Sequence, residues 1–339
     1  MPIAKRGGQV HETRRWLWPA LILATVVAAV LSIGVGSASI PPGRVLAALA
    51  GHGDPVERAI LIELRLPRAI LGLAVGGMLG LAGAALQGYL RNPLAEPSVL
   101  GASNGAALGA VIALYFGLAQ ASAVVLPLMA ILGALVSLGV LFLLAGRSES
   151  PLTLILAGIA IGTLAIAGIG LALNMSPNPF AAMEIATWLL GSLEDRAFSH
   201  VLLALPAIAI GIALLAWDAR ALDALTLGED GAAALGVNLS RTRTRLLLGV
   251  AIGVGGAVAV SGSIGFVGLI VPHLIRPLTD RSPSAILWPS ALGGAALLML
   301  ADVAVRVIPT NDELKVGVVT AFLGVPVFLV HLMRERRLW

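Results

Sequence analysis

The sequence predicts an all-α integral membrane protein, a ten-helix polytopic bundle forming a single transmembrane domain over residues 1–339. Three observations carry this. Of 339 residues, 58% are hydrophobic and only 12% charged, against roughly 25% charged in a soluble domain. The mean hydropathy is +0.97. Long apolar segments recur along the whole chain, separated by short links rich in Arg, Pro and Gly.

Ten apolar segments are expected, at residues 16–36, 67–88, 98–118, 123–145, 152–173, 198–217, 244–261, 264–276, 285–307 and 314–333. The first follows Lys5, Arg6, Arg14 and Arg15. It resembles a secretory leader ending at Ser37-Ala38-Ser39, but it is long for one and many spans follow, so an uncleaved helix is expected. The second opens at Pro67, a residue suited to a first helical turn. The link Gln87–Pro97 carries Pro93 and Pro97, which stop one helix and start the next. Residues 182–193 are expected as a short helix near the outer surface.

The seventh and eighth segments need a turn between them. Only residues 246–275 separate Arg245 from Arg276. A hairpin at Ser261–Gly265 keeps both basic clusters on one side, and its short second arm stays buried among neighbours. Gly72/Gly76/Gly80, Gly101/Gly105/Gly109, Gly158/Gly162 and Gly249/Gly253 are spaced for close helix contact in lipid.

Charge sets the orientation. With the N-terminus inside, Arg44, Arg58, Arg65, Arg68, Arg196, Arg306 and Lys315 lie outside, and the other fifteen of the 22 basic residues lie inside. The excess places both termini in the cytoplasm. The same accounting explains the net charge of +4 without any nucleic acid partner.

The longest polar interruption, Trp217–Arg245, is then cytoplasmic. Within it Gly228-Glu229-Asp230 opens a short helix and Gly236 closes it after Leu235. The basic cluster Arg241, Arg243 and Arg245 ends the interruption. Such a capped helix suits docking into a partner's cleft, and an ordinary connection is the plainer alternative.

Enzyme chemistry is excluded at several points. Cysteine is absent, so there is no disulfide, thiolate metal site or iron–sulfur cluster. The histidines are scattered without ligand spacing, and no metal site or cofactor is expected. No P-loop is present, and the only lysines are Lys5 and Lys315. Asp302 and Arg306 sit four apart and pair with one another, too little buried charge for a proton-driven carrier.

Seven stretches together resemble the FecCD family, membrane permeases of type II ABC importers for iron–siderophores, haem and cobalamin. They are Leu64–Arg68, Gly83–Gly105, Leu154–Gly162, Trp188–Leu193, Leu227–Asn238, Gly262–Arg276 and Glu313–Phe328, in order on the ten-segment plan. Lys315 departs from the proline that many members carry there.

The resemblance implies a bacterial inner-membrane protein that pairs with a second copy of itself. It implies two cytoplasmic ABC ATPases docked on the loop at about 218–243, through Leu227, Gly228, Glu229, Asp230, Ala233, Leu235, Gly236 and Val237. It implies a periplasmic or lipid-anchored binding protein whose acidic residues meet Arg65, Arg68 and Arg306, read as exposed rim charges. It places a cytoplasmic gate at Ser150, Pro151, Leu152 and Thr153. It lines the pathway with the fifth and tenth segments, Met175 and Thr320 included, around a bulky metal chelate. The implied cargo is an iron–siderophore, with cobalamin or haem as the alternative; an ion-coupled secondary transporter is the reading from another class.

Overall fold

A computed structural model describes residues 4–36, 38, 40–146, 150–310 and 312–335. Ser37 and Ser39 of the leader-like motif, Arg147, and the C-terminal Arg336 and Arg337 lie outside the described residues. Each of the ten apolar segments contains a helix. The helices are α1 (Ala4–Gly34), α4 (Leu66–Tyr89), α5 (Ala102–Tyr115), α6 (Val125–Ala145), α7 (Pro151–Asn174), α9 (Phe198–Trp217), α12 (Leu239–Ser261), α13 (Val267–Ile275), α14 (Pro283–Val307) and α15 (Val316–Glu335). Shorter helices α2 (Pro42–Leu49) and α3 (Pro55–Ala59) follow α1, and a wide turn, Ile60–Arg65, runs into α4. Helix α8 (Pro179–Leu189) lies between α7 and α9, and α10 (Ala219–Leu225) and α11 (Glu229–Ala234) lie between α9 and α12.

Among the described residues seven helices are long and apolar enough to cross a membrane, and three apolar helices are shorter. The short arm α13 was expected. The short α5 was not, and its reason is the loop before it.

Helix α4 is the axis of the bundle. It is buried on nearly all sides and packs on α14, α13, α9, α12 and α1. Glycine makes this possible. A Cβ on Gly76 would stand 2.4 Å from Gly294 O, and one on Gly80 would stand 2.1 Å from Ser290 O. The α4 and α14 backbones therefore touch, which suits helices that gain nothing from hydrophobic burial in lipid. Around this pair, α12 joins α9 and α6, and α5 joins α6 and α7.

The link after α4 does not stay at the surface. A Cβ on Gly158 would meet Val99 O at 2.3 Å, and Gly162 lies against Asn104. Gly158 is seven residues into α7, so residue 99 sits roughly 10 Å inside that end of the bundle. The link thus climbs inward over 90–101 and supplies part of the span itself. Its buried position is consistent with non-helical backbone being tolerated at membrane depth only inside protein.

The 262–266 hairpin forms where expected. Gly262 has φ +67°, and a Cβ there would stand 2.3 Å from Trp188 O. The α12 helix starts at Leu239, five residues before the expected 244. Asn238 explains this: its Oδ1 accepts from Arg241 N at 3.0 Å and caps the helix.

Candidate functional site

Polar residues gather at the two ends of the bundle. The first end carries α10 and α11. Helix α11 begins with Glu229 and Asp230, acidic groups at its positive pole. It ends in a Schellman closure: Val237 N donates to Ala232 O at 3.0 Å, and Gly236 N to Ala233 O at 2.9 Å. Gly236 takes φ +85°, as the sequence predicts. Ala232 is wholly buried and seats the helix, while Leu227 and Leu235 are exposed, at 69% and 64%. Asp230, Ala233 and Gly236 are exposed beside them. The result is a rigid knob with an apolar tip and an acidic start.

The predicted basic cluster is dispersed, because α12 already includes it. Neighbours two apart on a helix point to different sides. Arg241 is exposed. Arg243 is buried with its guanidinium 5.5 Å from the Phe142 ring centroid. Arg245 clamps Asp218 with both branches, Nε to Oδ2 at 2.8 Å and Nη2 to Oδ1 at 2.6 Å. This pair ties the start of the polar segment to α12.

The knob reaches the predicted gate. Tyr89, Arg91, Pro151, Leu225, Glu229 and Leu239 line one small cleft. Ser150 is the N-cap residue of α7 and Pro151 its first residue. Leu152 is 64% exposed, and Thr153 is half-buried. Helix α7 is held by a narrow stripe, Leu154, Gly158, Ile161, Gly162 and Ala165, while Leu156, Ile159, Leu164 and Ile166 are uncovered. Met175, the C-cap of α7, is exposed and accepts from Tyr115 Oη at 3.0 Å. Thr320 differs from expectation. It is buried, its hydroxyl donates to Gly317 O at 3.0 Å, and its neighbours Gly317 and Gly324 pack on Leu190 and Phe266. The uncovered face of α15 is that of Phe322 and Leu323.

The opposite end holds a cavity of about 410 Å³ whose lining includes Arg65, Arg68, Arg196, Arg306, Glu194, Asp195 and Glu313. The sequence reading of Arg65, Arg68 and Arg306 as exposed rim charges is corrected here. All three are internally bonded, and Arg65 and Arg68 are only 6% and 9% exposed. Arg65 donates to Ile33 O at 3.0 Å, Gly34 O at 2.9 Å and Ala38 O. Arg68 holds Asp302 and Glu313. Arg306 meets Asp302 at 3.0 Å and donates to Ser32 O and Val35 O. The reason is the chain path: the carbonyl groups of the last turn of α1 and of the residues just after it lack onward helical partners, and three guanidinium groups satisfy them and two carboxylates. The Asp302–Arg306 pair was legible from i, i+4 spacing.

Arg196 was not singled out by the sequence. Its Nε is buried without a hydrogen-bond partner among the described residues. Burial lowers its pKa, against the raising effect of Asp195 and Glu194. Lys315, the family departure, pairs with Glu194 of the cavity lining. Among the described residues no group of three or more His, Asp or Glu is placed to hold a metal.

The comparisons with known proteins agree with this architecture. ABC transporter permease YvrB of Bacillus subtilis is 39% identical over 324 residues, covering 92% of this chain and 91% of the relative. Ferric enterobactin transport permease FepD of Escherichia coli is 38% identical over 336 residues, covering 97% and 98%. A solved inward-facing ABC transporter of the metal-chelate type superposes with a TM-score of 0.84 at 33% identity, covering 94% of this chain and 99% of that one. Residues 23–334 match the FecCD transport family, and the chain belongs to that family.

Proposed function

We propose that this chain is the membrane-spanning permease subunit of an ATP-driven importer for a bulky metal chelate, with an iron–siderophore the first candidate. Relatives named for ferric citrate (39% identity, Bacillus subtilis), ferric enterobactin and vitamin B12 (36%, Vibrio vulnificus) support the chelate class. ATP hydrolysis belongs to two separate ATPase subunits, since the sequence has no nucleotide-binding loop. The α11 end faces the cytoplasm, by the excess of basic residues there.

The observation that carries the reading is the shared cleft of Glu229 on α11 and Pro151 at the foot of α7. An ATPase seated on the exposed Leu227–Val237 knob would push against the start of α7. That helix has a narrow attachment and a long uncovered apolar face. The same face suits a second copy, with the pathway between the two α7 helices. A ligand shifts such an equilibrium only by its differential affinity for the two states, so a rigid knob transmits what a mobile loop would dissipate.

At the opposite end the cavity would receive a binding protein's carboxylate. Arg65, Arg68 and Arg306 line it, and the half-buried Arg196 adds a fourth cation to the same lining. The test is reconstitution of the chain with its ATPase and binding protein in vesicles. ATP-dependent uptake of ferric citrate or ferric enterobactin that survives a protonophore is expected. Uptake that needs no ATP and stops with the protonophore would instead establish a secondary transporter.

A further inference from the structure

A groove of about 370 Å³ opens on the outside of the bundle, away from α7, between α1, α4 and α14. Trp18 and Thr25 of α1 form one wall, Leu73 and Gly77 of α4 the floor, and Trp288 and Ala295 of α14 the other wall. The volume falls in the range of small-molecule sites, roughly 300–1,000 Å³. Its one hydroxyl has its proton committed to backbone, with Thr25 Oγ1 2.8 Å from Leu21 O and 3.2 Å from Leu292 O. The groove is therefore apolar in chemistry.

Two further facts identify what fills it. The first is length. Arg15, Trp18, Ile22 and Thr25 follow one another at helical spacing on one face of α1. From Arg15 to Thr25 that face runs roughly 15 Å, half of a ~30 Å hydrocarbon core. The groove lining itself, Trp18 to Thr25, covers roughly 10 Å of this, so groove and cation together match one leaflet. The second is charge at its open end. Arg15 is exposed there on α1, and Arg281 is exposed just before α14. The 276–278 turn that precedes Arg281 touches α1. The neighbouring Asp280 accepts from Ser282, with Ser282 N at 3.1 Å and Ser282 Oγ at 2.7 Å from its Oδ1. Trp18 and Trp288 are both half-exposed, at 43% and 46%, and stand near this end as interfacial indoles do.

We propose that this groove is a binding site for an anionic glycerophospholipid. One acyl chain lies between α1 and α14 on the Gly77 floor, and the phosphate group is held by Arg15 and Arg281. The basic side chains select the headgroup, and the groove selects a chain that reaches the bilayer middle.

The test uses the full-length chain with Trp16, Trp188, Trp217 and Trp339 changed to Phe, leaving Trp18 and Trp288 as fluorophores. It is reconstituted in phosphatidylcholine vesicles, and brominated phosphatidylglycerol or brominated phosphatidylcholine is titrated in. Quenching by phosphatidylglycerol is expected at roughly tenfold lower mole fraction. Arg15→Gln with Arg281→Gln should close that gap. Gly77→Leu should lower quenching by both lipids, since a Cβ there has only Ala291 O at 3.6 Å and the leucine enters the groove. Equal quenching by both lipids in the reporter protein overturns the proposal. So does weak quenching by either, with Ile22→Cys cross-linking two copies, because a second copy then covers the groove.

Discussion

Arg68 of α4 grips Asp302 of α14 with Nε at 3.0 Å and Nη2 at 2.8 Å from Oδ1, and the same guanidinium holds Glu313. The pair crosses the most extensively packed helix interface of the bundle. Both side chains are almost wholly covered by protein. Removing one partner therefore strands the other in a poor dielectric.

Asp302→Ala should cost about 3–5 kcal/mol, since it leaves Arg68 and Arg306 buried with one carboxylate fewer. An exposed pair would cost only ~0.2–1 kcal/mol. The thermal midpoint of the detergent-purified chain separates the two outcomes. Loss within ~1 kcal/mol of wild type would return these arginines to the rim.

Arg196→Ala should behave in the opposite way. Its Nε bonds nothing among the described residues, so stability should hold. Affinity for the binding protein should fall, most steeply at low salt where the charge of the cavity lining is least screened. Titration across ionic strength with Arg196→Ala beside Arg65→Ala checks this. A stable Arg196→Ala complex with unchanged affinity at low salt removes Arg196 from docking.

Gly236→Val should uncouple the α11 knob without crowding it. No atom lies within 4 Å of a Cβ at this site, so the whole effect is the φ of +85°. The strain is roughly 1–2 kcal/mol. Gly236→Asn, tolerant of that conformation, should retain ATPase co-purification where Gly236→Val loses it. Equal retention by both variants would detach the cap from coupling.

Gly83→Ala should disturb the centre of the bundle, because its Cβ would stand 1.8 Å from Gly268 O of α13. Overpacking of this kind costs about 1–3 kcal/mol. The yield of monodisperse protein in detergent reports it.

Leu152→Cys should cross-link two copies in the state without nucleotide and block uptake. The chain has no cysteine to compete. Efficient labelling from the outer side by an impermeant thiol reagent would show an open pathway instead.

The apolar segments, the Gly236 cap and the Asp302–Arg306 pair were all legible in the sequence because each depends on local spacing. The inward climb of 90–101 was not. It is set by Val99 meeting Gly158, a contact between segments with no shared periodicity. The arginines failed for a related reason. Spacing put Arg65 and Arg68 on one face, but nothing local revealed the carbonyl groups of Ile33 and Gly34 or the distant Glu313 that cover them. Thr320 sits on the packed side of α15 because Gly317 and Gly324 flank it there, a stripe visible only once α13 is in place.

The central position of α4 also fixes an order of events during biogenesis. Its chief neighbour, α14, is made roughly two hundred residues later. Until then α4 must wait with its glycine face toward lipid and Arg68 without Asp302. Its apolar surface tolerates the wait, and the arginine near the membrane edge can stay hydrated by snorkelling. The bundle therefore closes late, when α14 leaves the insertion machinery and captures a helix already in the bilayer. A chain truncated before residue 283 should remain inserted yet loosely packed, with the glycine face of α4 still accessible to lipid.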